Sequence, residues 1–290
     1  MINTLNRPVL EPACGGPVVC APGSGEDVWV LVISVLSLKG GVGKTSVVLG
    51  LAGAATVRGL ATLVIDLDPQ GNATSLLAAQ PGEAGAAEVL ANPTRTTVEA
   101  ALTPCDWEVA PGEVDLLPSH PNLIRFDAWT GRTVLQPKLA RARQFFAGYD
   151  LILIDCPPSL GALAREALAA SDLALVVTTP SFFGAQGVER AVAEIDEIRK
   201  TVNRGLRLAG IVINRVRSVA EEHAYRTHEL ADIYGRVSIL TPLIPERIAV
   251  QQAEGTGQPI HLIKTEGGRE VAAVYDAYLD RLMSQMGNVH

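Results

Sequence analysis

The stretch that most constrains this 290-residue chain runs from Trp29 to Arg58. Trp29–Leu38 (WVLVISVLSL) is short, apolar and β-branched, the composition of a strand buried on both faces. A glycine-rich segment, Lys39–Ser46 (KGGVGKTS), follows at once. Lys44–Arg58 then carries helical spacing and many alanines, and Gly59 closes it. A strand passing through glycines straight into a helix is the opening of a βαβ unit. The rhythm continues downstream. Ala61–Leu67, Asp150–Cys156, Leu173–Thr178, Leu208–Asn214 and Val237–Leu243 read as strands, with Val114–Leu117 a weaker one. Thr133–Phe146, Leu160–Ala170, Gly184–Val202, Val219–Tyr234 and Val271–Met286 read as helices. Strands apolar on both faces, alternating with helices, predict an α/β fold of three layers. In it, a mostly parallel twisted sheet is covered by helices on both sides.

Composition limits the alternatives. Hydrophobic residues make up 48% and charged residues 19%, which excludes disorder along most of the chain. Residues 1–26 have no periodicity and are rich in Pro, Gly and small residues, so a disordered tail is expected there. No linker or repeat divides 27–290, which reads as a single domain. The cysteines at 14, 20, 105 and 156 form no CxxC pair, which argues against a zinc site or a disulfide framework and fits a reducing cytoplasm. His223, His228 and His261 lack metal-ligand spacing, and Cys156 reads as a small buried hydrophobe. The longest apolar run, Val28–Leu38, is far short of the ~20 residues of a membrane span. The first residues also lack the pattern of a secretory signal.

Lys39–Ser46 carries the clearest chemistry. Gly43-Lys44-Thr45 matches the end of G-x-x-x-x-G-K-[ST], although Ser37 or Leu38 stands where the first glycine belongs. Gly40, Gly41 and Gly43 let successive N–H groups around Val42 turn toward one anion. The helix beginning near Lys44 adds its positive end. Lys44 would reach the β- and γ-phosphates and Thr45 would place a hydroxyl on Mg²⁺, with Ser46 completing the loop. Two acidic motifs end later strands: Asp66-Leu67-Asp68-Pro69-Gln70-Gly71-Asn72 and Asp155-Cys156-Pro157-Pro158. Asp68 and Asp155 are candidates to hold Mg²⁺ and to orient the attacking water.

KGGVGKTS, DLDPQGNAT and LILIDCPPSLG, in that order, resemble the ParA/MinD branch of P-loop ATPases, from about Val28 to the C-terminus. DPQGN favours ParA-type partition ATPases over MinD. The resemblance implies ATP and Mg²⁺ as cofactors and slow hydrolysis to ADP and phosphate. Lys39 corresponds to the lysine that reaches across a nucleotide-sandwich homodimer to the partner's phosphates. Asp68 corresponds to the water-orienting residue, Asp155 to the Walker B aspartate, Asn214 to an adenine contact and Pro245 to backbone beside the base. With Thr45, Asp68 and Asp155 form the expected metal set.

The resemblance further implies an ATP-bound dimer on nucleoid DNA, in the cytoplasm, released when a ParB-type adaptor stimulates hydrolysis. Residues 199–269 carry eleven Lys or Arg against seven Asp or Glu, inside a chain of net charge −7. Arg215, Arg217, Arg226, Arg247 and Lys264 there are the candidate DNA contacts. The chain departs from the family here: it reads IPERIAVQQA where IPRNVRLSEA is usual, so Glu246 and Ala249 replace arginines. Other readings are a ParA relative that positions a different cargo and a MinD-like membrane switch. The membrane switch needs a basic amphipathic tail, whereas AYLDRLMSQMGNVH has one arginine and one aspartate, so no membrane partner is expected. An iron–sulfur carrier would need paired cysteines that are missing. No room is expected ahead of Val28 for the helix-turn-helix domain of larger plasmid ParA proteins.

Overall fold

The computed structural model describes residues 19–20, 27–28, 30–78, 82–107, 111–127, 137–217 and 220–285. Its strands are β1 (Val19–Cys20), β2 (Asp27–Val28), β3 (Leu31–Leu36), β4 (Ala61–Asp66), β5 (Thr103–Pro104), β6 (Glu113–Leu117), β7 (Leu151–Asp155), β8 (Leu173–Thr178) and β9 (Arg207–Ile213). The helices are α1 (Lys44–Val57), α2 (Asn72–Leu77), α3 (Ala86–Ala91), α4 (Arg95–Ala101), α5 (Ile124–Asp127), α6 (Lys138–Ala142), α7 (Ala162–Ala170), α8 (Phe182–Thr201), α9 (Glu221–Tyr234), α10 (Ile248–Thr256) and α11 (Glu266–Ser284).

Seven strands form one sheet in the order β5-β6-β4-β7-β3-β8-β9. All neighbours are parallel except β5, which runs antiparallel to β6 at the edge. The period-2 alternation of a strand divides the core. Leu31, Ile33 and Val35 of β3 pack with α1, α10 and α11, while Val32 and Leu36 pack on the other face with α7 and α8. That is the expected three-layer α/β fold. The order also makes β3 the point from which the chain winds to either side, where such sheets bind ligands at strand carboxyl ends.

The pattern predicts a strand over 237–243, and the structure corrects it. Arg236–Ser238 is a 3₁₀ turn, and only Ile239 bridges β9, opposite Ile211. Leu240 and Ile244 still donate to the carbonyls of Ile211 and Ile213, but Pro242 and Pro245 have no N–H with which to continue a ladder. The apolar residues therefore mark an extended segment along the sheet edge. The helix expected over 133–146 is described only from Lys138 and ends in a 3₁₀ turn, Arg143–Phe146. Its first residues lie outside the described part. So does most of the expected tail, apart from β1, which pairs with β2. Helix α11 buries Val271, Tyr275, Tyr278, Leu279 and Leu282 against the body, and no described helix is long and apolar enough to cross a membrane.

Candidate nucleotide site

The loop between β3 and α1 is held in a tight curve. Ser37 Oγ accepts from the Lys39 N–H and donates to the Lys39 carbonyl, both at 3.1 Å. Gly41 and Gly43 sit at φ 74° and 90°, in the left-handed region. At Gly43 space is short as well: a Cβ there would lie 2.2 Å from Asn214 Nδ2. Asn214 comes that close because its Nδ2 donates to the Val42 carbonyl at 2.8 Å. Gly43→Ala therefore meets both a strained φ and a collision. Each of these effects costs on the order of 1–3 kcal/mol, so ATP affinity is expected to fall at least about tenfold. Calorimetric titration checks this, and an unchanged Kd would mean that the loop is rebuilt on binding.

The two lysines of the loop differ in environment. Lys44, at the start of α1, is buried, while Lys39 is exposed at the rim. Thr45 Oγ1 donates to Asp155 Oδ2 at 2.6 Å, joining α1 to the end of β7. The register of β4 on β7 sets Asp66 directly opposite Asp155. Both carboxyls are fully buried, and both titrate high. Burial, then the charge of Asp66, raises Asp155 to about 7, and burial raises Asp66 to about 6. Asp155 Oδ1 is buried without a hydrogen-bond partner. An orphaned carboxylate oxygen beside a threonine hydroxyl fits one vertex of a Mg²⁺ shell, the rest being water and phosphate. No cluster of three His, Cys, Asp or Glu that could hold a metal ion occurs among the described residues. A divalent cation would also offset the cost of burying these carboxylates ionised.

Asp68 lies just past β4 and is nearly buried. Its Oδ1 accepts from the Gln70 N–H at 3.0 Å. Its own N–H donates to Asp66 Oδ1 at 3.1 Å, and Leu67 N–H donates to the Asp155 carbonyl at 2.9 Å. Both acidic loops thus form one frame behind the phosphate loop.

Sequence reading missed several residues of this frame. Asp66 anchors the N–H and the hydroxyl of Thr74, each at 2.8 Å. Ser46 Oγ donates to Glu254 Oε1 of α10 at 2.5 Å, across 208 residues. The DLD motif could have pointed to Asp66; nothing local signals Glu254.

Asn214 follows β9 at the same edge of the sheet. Its amide is occupied on the protein side, with Nδ2 on Val42 and Oδ1 accepting from the Arg215 N–H at 2.8 Å. It anchors the phosphate loop in addition to any contact with a base. Pro245 bridges Val216.

Three of the five basic candidates are ion-paired. Arg217 holds Glu246 in an ion pair that keeps its carboxyl below the usual range. Arg247 makes a two-pronged pair with Glu270 at 2.6 and 2.9 Å. Arg226 pairs with Glu222 and Glu229 and stacks on Phe182 and Tyr225. Arg215 and Lys264 are exposed and make no ion pair among the described residues.

A family profile described as an AAA domain matches residues 30–208. A chromosome partitioning protein ParA of Myxococcus xanthus is 30% identical over 257 residues, covering 85% of this chain and 88% of that protein. A chromosome-partitioning ATPase Soj of Thermus thermophilus is 36% identical over 184 residues, 62% of this chain and 68% of that one. A solved Mycobacterium smegmatis structure titled cobyrinic acid a,c-diamide synthase, with bound ADP and magnesium, superimposes with a TM-score of 0.70 at 28% identity, covering 87% and 93% of the two chains. Such likeness along most of the chain makes it a member of the ParA family of P-loop ATPases.

Proposed function

We propose that the protein is a partition ATPase that uses ATP and Mg²⁺ and works as an ATP-dependent homodimer on DNA. The observation that carries this reading is the contrast between the two lysines of one loop: Lys44 is buried and Lys39 is exposed at its rim. On this reading Lys44 serves the phosphates of its own subunit and Lys39 is free to reach those of a partner. A γ-phosphate carries more charge than one lysine balances, so a second cation in trans both stabilises the transition state and makes dimerisation depend on ATP. The surface beside Lys39 suits a second copy of the chain. Phe183 and Arg190 border a cleft next to it, and Phe182 and Phe183 are 54% and 68% exposed.

Within the site, Gly40, Gly41, Val42 and Gly43 turn backbone N–H groups onto the phosphates. Thr45 and Asp155 would hold Mg²⁺, with Asp68 beside them, and the ion would supply neutralisation of the phosphate charge. Asp68 orients the water and accepts its proton as the terminal phosphoryl group leaves ADP. Asn214 and Pro245 border the base. An adaptor of ParB type speeds the slow intrinsic step. Residues 27–290 form one ATPase domain, working in the cytoplasm on the nucleoid.

Arg215, Arg217, Arg226, Arg247 and Lys264 provide the DNA contacts. The ion pairs at Arg217 and Arg247 do not bar this, because exposed pairs are worth about 0–1 kcal/mol and a phosphate can replace the carboxylate. Light scattering tests the dimer: a monomer with ADP and a dimer with ATP and Mg²⁺ are expected. One mass in every nucleotide state would refute the cycle.

A further inference from the structure

The turn that carries Asp68 is held from two sides. On the inside, Asp66 accepts the Asp68 N–H, and the Gly71 N–H donates to the Asp68 carbonyl at 2.8 Å. On the outside stands Ser119, two residues past the end of β6 and 51 residues along the chain from Asp68. Its Oγ donates to the same Asp68 carbonyl at 2.6 Å. Its N–H donates to Thr74 Oγ1 at 2.8 Å, and that hydroxyl in turn donates to Asp66 Oδ2. Asp66, Asp68, Ser119 and Thr74 thereby close a ring of hydrogen bonds around the turn. The loop that supplies Ser119 is itself pinned, because the Ala86 N–H donates to the Pro118 carbonyl at 2.9 Å.

Ser119 is only part-buried. Its hydroxyl is turned onto the backbone of Asp68. Parallel strands β4 and β6 bring these two loops to the same sheet edge. A bond from one loop to the carbonyl of the next sets the height of that residue above the edge.

We propose that Ser119 is a positioning residue for hydrolysis: its hydroxyl, on the Asp68 carbonyl, sets where the Asp68 carboxylate stands relative to the γ-phosphate. This rests on Asp68 being the water-orienting residue. Displacements near 1 Å in such geometry cost up to about 100-fold in rate, and loss of one of several restraints should cost about tenfold. Binding of ATP does not pass through this bond, so KM should hardly move.

The test is steady-state ATP hydrolysis with Mg²⁺ by the full chain, comparing Ser119→Ala, Ser119→Thr and Asp68→Ala. The expected result is a kcat about tenfold lower in S119A with KM within twofold, and recovery in S119T, which keeps the hydroxyl. An unchanged kcat in S119A, while D68A is inactive, would overturn the role of Ser119 and leave that of Asp68 standing. Hydrolysis by D68A at the parent rate would instead remove Asp68 itself from the mechanism. A kcat lost in S119A and not recovered in S119T would mean that packing, not the hydrogen bond, is what matters, and would also overturn the proposal. Should S119A melt early, Ser119→Cys keeps the side-chain volume with a weak donor. A kcat below the parent then supports the positioning role, and a parent-like kcat refutes it.

Discussion

Asp68→Ala is expected to slow ATP hydrolysis by roughly 10²–10⁴-fold while ATP binding and the ATP-dependent dimer persist. The structure makes the substitution selective. Asp68 uses one carboxylate oxygen on the Gln70 N–H, and the other makes no hydrogen bond among the described residues, leaving it for water. The backbone bonds that hold the turn, from Asp68 N–H to Asp66 and from Ser119 and Gly71 to the Asp68 carbonyl, survive in alanine. Nothing on Lys44, Thr45 or Asp155 depends on the lost carboxylate through a direct bond. The variant should therefore accumulate in the ATP form. A phosphate-release assay beside light scattering checks both halves. Parent-like turnover would remove Asp68 from the mechanism, and loss of ATP binding would make its role structural.

Lys39→Ala is the second large effect. A cation supplied in trans to phosphoryl transfer is worth about 10³–10⁵ in rate, and partner-stimulated hydrolysis should fall on that scale. The ATP-dependent dimer should be lost with it, while ATP binding by the monomer is retained in part. The two bonds from Ser37 go to the N–H and carbonyl of Lys39, so alanine keeps the shape of the loop. Its side chain is exposed, so no core is disturbed. An ordinary ATP-bound dimer of this variant in light scattering would end the cross-subunit role.

Much of this could be read from the chain because the informative signals are local. A buried strand, three glycines, a lysine and a hydroxyl within eighteen residues leave little freedom, and α1 begins at Lys44 as expected. Asp68 and Asp155 stand out in the sequence as candidates because each comes at the end of an apolar strand, with Pro69 directly after the one and Pro157 two residues after the other. What escaped the sequence lies in contacts between distant segments. The bond from Asn214 to the Val42 carbonyl spans 172 residues and gives that side chain an anchoring role which no motif announces. Ser119 and Glu254 come from loops without pattern. The misread strand at 237–243 has the right hydrophobicity, but Pro242 removes a donor within it and Pro245 another just beyond it. Short helices such as α2–α4 and α10 fall below the length at which periodicity is visible.

The basic face shows a further limit of local reading. Counting charge along residues 199–269 gives a surplus, yet Glu246 and Glu270 fold back onto Arg217 and Arg247. If these arginines contact DNA as proposed, phosphates would have to displace the carboxylates, which would lower the number of counterions released and flatten the salt dependence.

The decisive measurement is binding of a random-sequence duplex at low salt, with ATP and Mg²⁺, with ADP and without nucleotide. Binding is expected with ATP alone, weakening as salt rises. An ATP-bound dimer that holds no DNA in any nucleotide state would contradict it, and would point to a protein scaffold as the surface on which this ATPase works.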